Sequence, residues 1–263
     1  MGQRHSKLDQ AETRRPAHLL VGDSDENRHP TLRTISGPTG GIEMVPEPER
    51  DDRGIPIRYH EYDLTRTMLI AALNHVSNYI HHHGKHVTIV AIGGAINTIH
   101  LQTRHSTHDV DFFCAKDQTS LLREASKYAQ SQNGLPLGTN WLNNTITLSI
   151  GQVLVHELIR EARHQDVVVL ERQGLTVFAA PWMYAFCGKT DRIYRLKEKT
   201  RPYDCSDAVS YLHEYIKSNG GEPVPALTIM QWAEHYRKNV CIEGLHRINK
   251  LYQVVHKAHG IVL

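Results

Sequence analysis

The segment VTIVAIGGAINTIHLQTRHSTHDVDFFC, Val87–Cys114, constrains the fold more than any other. An apolar run, VTIVAI, reads as a buried strand and ends at Gly93-Gly94. AINTIHLQTR fits a short helix opening at the glycine pair, and DVDFFC reads as the next strand. Residues i and i+2 of a strand face the same side, roughly 6.6–6.8 Å apart along the chain. Asp109 and Asp111 therefore point together while Val110 points into the core. Two carboxylates on one face repel each other unless a cation lies beside them. Mg²⁺ suits such a pair, because it takes one or two carboxylates and fills its other positions with water and phosphate oxygens. The glycines supply a complementary feature. Without side chains, their backbone N–H groups can approach a ligand, and a helix N-terminus favours negative charge. A phosphate cradle next to a metal-binding carboxylate pair is the minimum for phosphoryl or nucleotidyl transfer. The structural alternative uses the same residues differently. In it the glycines serve tight helix–strand packing, and Arg104 or Lys189 salt-bridges the aspartates.

The rest of the chain places this segment. Residues 1–57 are rich in Arg, Asp, Glu, Pro, Gly and Ser, and read as a mostly disordered tail with a short extended piece docking on the core. From Glu61, apolar residues recur at helical spacing up to Gly84. After DVDFFC, SLLREASKYAQSQNG is helical, NTITLSI is strand-like and QVLVHELIREARHQ is helical. DVVVLERQGLTVFAAP reads as two short strands joined at Gln173-Gly174. From Trp182 the pattern is almost all helical. The order predicts an α/β (α+β) core over 58–181, with a mostly helical C-terminal region, 182–263, packed on it.

Composition bounds the function. With 263 residues, of which 40% are hydrophobic, the chain can build one sizeable core. A net charge of +2 gives no argument for non-specific nucleic-acid binding. The four cysteines, at 114, 187, 205 and 241, form no CxxC pair and no metal-ligand spacing. They imply a reducing compartment and an intracellular, cytoplasmic protein. No run of about 18 apolar residues predicts a transmembrane helix. Gly2 followed by Ser6 fits the myristoylation pattern, with Lys7, Arg14 and Arg15 as a basic flank. Peripheral membrane contact through an acylated Gly2 is the corresponding expectation.

IGGAINTIHLQTRHSTHDVDFF resembles the core motif of the polymerase-beta-type nucleotidyltransferase superfamily: an apolar residue, Gly-Gly or Gly-Ser, a helix, then Asp-apolar-Asp on the next strand. Its Arg-x-Ser-Thr-x-Asp-Val-Asp turn resembles the minimal, abortive-infection-toxin-like branch. LTVFAAPWMYAFCGKTDRI followed by RPYDCSDAVSYL continues the likeness more loosely, so that it spans roughly residues 85 to 215. The resemblance implies a mixed sheet carrying the site, with Mg²⁺ or Mn²⁺ held by Asp109 and Asp111 and a nucleoside triphosphate as substrate. It implies triphosphate contacts from Gly93 and Gly94, with Lys189, Arg104 and Thr107 as further phosphate contacts. Active members of that superfamily usually carry a third carboxylate on a later central strand, which helps hold the metal and activates the attacking hydroxyl. NTITLSI offers none, and of Asp166 and Glu171 on the following strand, Glu171 is the better candidate because it follows VVVL. Asp204 and Asp207 read as a helix cap and a salt bridge to Arg192 or Arg195.

Other constellations are weaker. HHHGKH at 81–86 sits at a helix end, where histidines suit the dipole. His100, His105 and His108 read as loop residues around the Asp-Val-Asp turn. His156-Glu157 lacks the second histidine of a zinc-protease motif. The expected function is Mg²⁺-dependent transfer of a nucleoside monophosphate from a triphosphate to a hydroxyl on a small molecule, an RNA end or a protein. The alternative is a catalytically inactive nucleotide-binding or scaffold module, tethered to a membrane through Gly2.

Overall fold

The computed structural model describes residues 43–47, 50–55 and 60–263, and residues 42–263 form one compact unit. Gly2, Ser6, Lys7, Arg14 and Arg15, and most of the predicted tail, lie outside the described residues. The chain runs β1 (Leu64–Thr65), α1 (Arg66–His82), β2 (Val87–Ile92), α2 (Gly94–Ile99), β3 (Ser106–Thr107), β4 (Val110–Cys114) and α3 (Thr119–Ser131). It continues with β5 (Leu142–Asn143), α4 (Thr147–Ile150), α5 (Gln152–Gln165), β6 (Val168–Glu171) and β7 (Leu175–Ala179). The helical half follows as α6 (Trp182–Leu196), α7 (Pro202–Ser218), β8 (Val224–Pro225), α8 (Ala226–His235), α9 (Ile242–His256) and β9 (Ile261–Val262).

The core is a five-stranded mixed sheet in the order β5-β4-β2-β7-β6. β2 runs antiparallel to β4 and parallel to β7, β4 is parallel to β5, and β6 is antiparallel to β7. The fold is α/β, as the element order predicts. Successive residues Ile89, Val90 and Ala91 are all buried, so β2 is covered on both faces, which is why VTIVAI lacks alternation. α1 packs with α3 and touches β7, while α5 lies against β2, β4 and β7. Thr65 caps α1, its hydroxyl accepting from Met68 N at 3.4 Å. Gly174 lets the β6–β7 turn meet α1: a Cβ there would stand 2.1 Å from the Ser77 carbonyl oxygen.

NTITLSI departs from its sequence reading. The strand is Leu142–Asn143, and Thr147–Ile150 is a single helical turn. Asn144 turns the chain between them. Its backbone N–H donates to Val45 O at 3.1 Å, its side chain accepts from Val45 N at 2.8 Å and donates to Glu43 O at 2.9 Å, and its carbonyl accepts from Thr147 N. Residues 43–45 are thereby laid against the end of β5, with Arg123 donating twice to Met44 O. All four cysteines are free, and Cys114 and Cys187 are buried. Among the described residues no helix is long and apolar enough to cross a membrane.

Candidate functional site

β2 ends at Ile92, which pairs with Asp111 of β4, and Asp111 pairs in turn with Asn143 of β5. The chain leaves β2 through Gly93, whose φ of +75° and ψ of −139° suit glycine alone. A Cβ at Gly93 would lie 3.8 Å from Asp111 Oδ2, so this backbone runs directly beside the carboxylate. Asp109 stands one residue before β4, and Asn143 Nδ2 donates to its Oδ2 at 3.4 Å. Both aspartates keep a solvent-facing side. Burial nevertheless pushes both carboxyls up, Asp111 to about 7, with the Asp109 charge as its second cause. Asn143 and the charges of Arg192 and Lys189 oppose that rise without cancelling it. Among the described residues, neither aspartate forms an ion pair with a lysine or arginine. Two convergent, desolvated carboxylates with no cation of their own form a donor set that fits Mg²⁺ or Mn²⁺.

A second pair of aspartates explains where the cations go. Lys189 on α6 places Nζ 3.1 Å from Asp204 Oδ1 and 2.7 Å from Asp207 Oδ2. Arg104 forks onto Asp207, donating from Nε to Oδ1 at 2.9 Å and from its terminal nitrogen to Oδ2. Its guanidinium lies 3.7 Å from the centre of the Tyr203 ring. Burial lowers the Arg104 pKa, and the Asp207 hydrogen bond and charge more than reverse that. The two predicted phosphate contacts, Arg104 and Lys189, are thus engaged by protein carboxylates. Arg195 pairs with Asp191 at 2.8 Å, not with Asp204 or Asp207, while Arg192 approaches Asp204 Oδ1 at 3.5 Å. Tyr211 on α7 fastens this helical half to the site, its hydroxyl donating to Gly93 O at 3.0 Å and contacting Asn97 Oδ1.

The remaining predicted residues divide. Gly94 serves packing: a Cβ there would stand 2.2 Å from Thr107 Oγ1 and 3.3 Å from Arg104. Thr107 is buried against it and pairs with Leu64. α2 is six residues long, too short to offer a strong dipole at Gly94. Glu171 is not at the site. It is exposed on β6 and pairs with Thr176, which pairs with Thr88 near the start of β2. That is the opposite end of the sheet and three strands from β4, on the order of 20 Å from Asp111 by strand spacing and rise. The strand position beside Asp111 belongs to Asn143. His108 lies 3.3 Å from Asp63 and 3.5 Å from Glu61, and its proximity favours ionised Asp109.

Asn143 and Arg192 were absent from the predicted site. Arg192 lies three residues after Lys189 on α6, which puts the two on one helix face. Its side chain is 41% exposed, and its charge acts on both Asp109 and Asp111. Asn143 had one legible signal, a short Trp-Leu-Asn-Asn stretch whose apolar residues, Trp141 and Leu142, are buried.

A family model described as a domain of unknown function (DUF7582) matches residues 62–259, which takes in the whole sheet and the helical half. No curated protein and no solved structure matches the chain.

Proposed function

The chain belongs to that family, and from the geometry of its site we propose that it is a Mg²⁺-dependent nucleotidyltransferase acting on a nucleoside triphosphate and a hydroxyl acceptor. The observation that carries the reading is the desolvated Asp109–Asp111 pair, which among the described residues forms no ion pair with a lysine or arginine, beside a side-chain-free backbone at Gly93. Asp109 and Asp111 would hold the ion, which when bound neutralises charge on phosphate oxygens and aligns the displacement. Asn143 fixes the Asp109 carboxylate through its amide. Gly93 leaves room for a phosphate against Asp111. Arg192 is the cation open to solvent near the pair, and it offers guanidinium donors to phosphate oxygens. Arg104, Lys189, Asp204 and Asp207 hold α7 and Tyr211 in place behind the site.

A second reading, a nucleotide-binding module without transfer, is favoured by Asn143. The place beside Asp111 carries a carboxamide, which orients a neighbour but takes no proton from an acceptor hydroxyl. In either reading, acylation at Gly2 would hold the module at a membrane, and mass spectrometry of the N-terminal peptide tests it.

The experiment is calorimetric titration with each of the four nucleoside triphosphates, with and without Mg²⁺, on wild type and on Asp109→Asn/Asp111→Asn. Mg²⁺-dependent binding lost in the double variant supports the site. Release of pyrophosphate from the bound triphosphate then separates transfer from binding alone. No binding at millimolar concentration of any triphosphate overturns both readings.

A further inference from the structure

Away from the aspartate pair, α5 and α8 bring three metal-ligating groups together. Glu157 and Glu161 are four residues apart on α5 and share a face, and His235 is the last residue of α8. One ligand atom from each lies within 4.8 Å of the other two. His235 Nε2 is 3.8 Å from Glu157 Oε1 and 3.6 Å from Glu161 Oε1. Those separations exceed the N–H···O range of about 2.7–3.2 Å, so the groups face one another without hydrogen bonding. They are a few tenths of an ångström wider than the ligand–ligand edge of tetrahedral zinc, about 3.3 Å for bonds of about 2.0–2.1 Å.

The surroundings fit a ligand set. Tyr236 donates its hydroxyl to Glu161 Oε2 at 2.8 Å, which satisfies that oxygen and leaves Oε1 towards His235, as an outer-shell partner does in metal sites. The competing cation is Arg160, 3.6 Å from Glu157 Oε1 with a side chain 78% exposed, free to swing into solvent. Imidazole with two carboxylates selects zinc and its neighbours in the transition series over Mg²⁺, which favours all-oxygen ligands. Three protein ligands leave a fourth position for water.

We propose that Glu157, Glu161 and His235 form a zinc-class divalent site that clasps α8 to α5. It is separate from the Asp109–Asp111 pair and differs from it in the metal it takes. Simple ion pairing of protonated His235 with two glutamates is the competing account, and metal uptake distinguishes them.

The test is calorimetric titration of metal-stripped full-length protein with ZnCl₂ in the presence of excess Mg²⁺, followed by thermal melts with and without zinc. Because the chain holds 19 histidines, the readout is the equivalent of zinc lost in each variant. The expected result is that His235→Ala and Glu161→Gln each weaken one zinc equivalent by at least about tenfold. Both should melt as wild type does without metal, and Asp109→Asn/Asp111→Asn should keep the full zinc count. A zinc count and affinity unchanged in His235→Ala, or no zinc uptake by wild type, overturns the proposal. Loss of the equivalent in Asp109→Asn/Asp111→Asn would overturn the claim of a separate site.

Discussion

Asp204 and Asp207 meet Lys189, Arg104 and Arg192, whereas Asp109 and Asp111 meet one carboxamide and each other. Both pairs sit in desolvated surroundings at the same end of the molecule, joined through Tyr211 and Gly93. The first pair is closed, with every carboxylate matched to a fixed cation. The second is open: burial raises both carboxyls, the Asp109 charge adds to the rise at Asp111, and the nearby Arg192 opposes the rise at both without cancelling it. With Lys189 and Arg104 on Asp204 and Asp207, Asp109 and Asp111 form no ion pair with a lysine or arginine among the described residues.

The closed pair is the place to break this contrast hardest. Asp207→Ala strands Arg104, whose side chain is 15% exposed, and leaves Lys189, 8% exposed, with Asp204 as its one remaining partner. The expected cost is about 3–5 kcal/mol, the scale of removing one partner from a buried ion network. Urea unfolding with the slope checked for constancy measures it. A cost below about 1 kcal/mol would mean that the cluster is no more than a surface pair.

Asn143→Asp tests the open pair from the other side. A third carboxylate beside Asp111 adds like charge with no new cation, so the metal-free protein should lose about 1–3 kcal/mol near neutral pH. Saturating Mg²⁺ should restore most of that loss, and pyrophosphate release should rise above wild type. If Mg²⁺ fails to restore stability, the three side chains do not converge on one ion.

Much of this arrangement was legible in the sequence, because strand periodicity and a glycine turn are local. VTIVAI, Gly93 and Asp-Val-Asp announced two adjacent strands with a carboxylate pair at one end. Strand registers were not legible. Glu171 looks like the end of a central strand by composition, yet β6 is an edge strand whose pairing sends it to the far end of the sheet. NTITLSI has the β-branched alternation of a strand. Tertiary bonds from Asn144 to residues 43 and 45 end the strand early and turn the chain into a helix. The ion pairs of Arg104 and Lys189 with Asp204 and Asp207 were not legible for a similar reason: Arg104 finds its partner 103 residues away, and no local pattern reports that.

Asp111→Asn should act with the opposite sign to Asp207→Ala. Burial, with the Asp109 charge behind it, pushes the folded carboxyl up to about 7, from an ordinary aspartate value of about 3.9. The folded chain therefore keeps a proton over that interval where the unfolded chain has released it. Stability of the metal-free protein falls as pH rises from about 4 to about 7 and then levels off. The asparagine removes that slope and should gain on the order of 1–2 kcal/mol at pH 7.5 in chelator. Unfolding midpoints at several pH values, with and without Mg²⁺, check both statements: Mg²⁺ should stabilise wild type and leave the variant unchanged. A variant less stable than wild type in chelator would place Asp111 with the closed pair.

Arg192 belongs to both clusters, and its replacement gives the smallest and sharpest test. It touches Asp204 at 3.5 Å, but Lys189 already holds the same oxygen at 3.1 Å, and the Arg192 side chain is 41% exposed. Arg192→Ala should therefore cost no more than about 0–1 kcal/mol of stability, because solvent screens the pair. Its charge also favours the ionised forms of Asp109 and Asp111, so in the variant both carboxyls should rise and Mg²⁺ should compete with more bound proton at neutral pH. Triphosphate binding should weaken by about tenfold, roughly 1.4 kcal/mol, with the loss shrinking as salt rises. Calorimetry at two ionic strengths separates the outcomes. Unchanged triphosphate affinity with a stability loss well above 1 kcal/mol would make Arg192 a third strut of the closed cluster, and the phosphate-facing cation of the open site would have to be sought elsewhere.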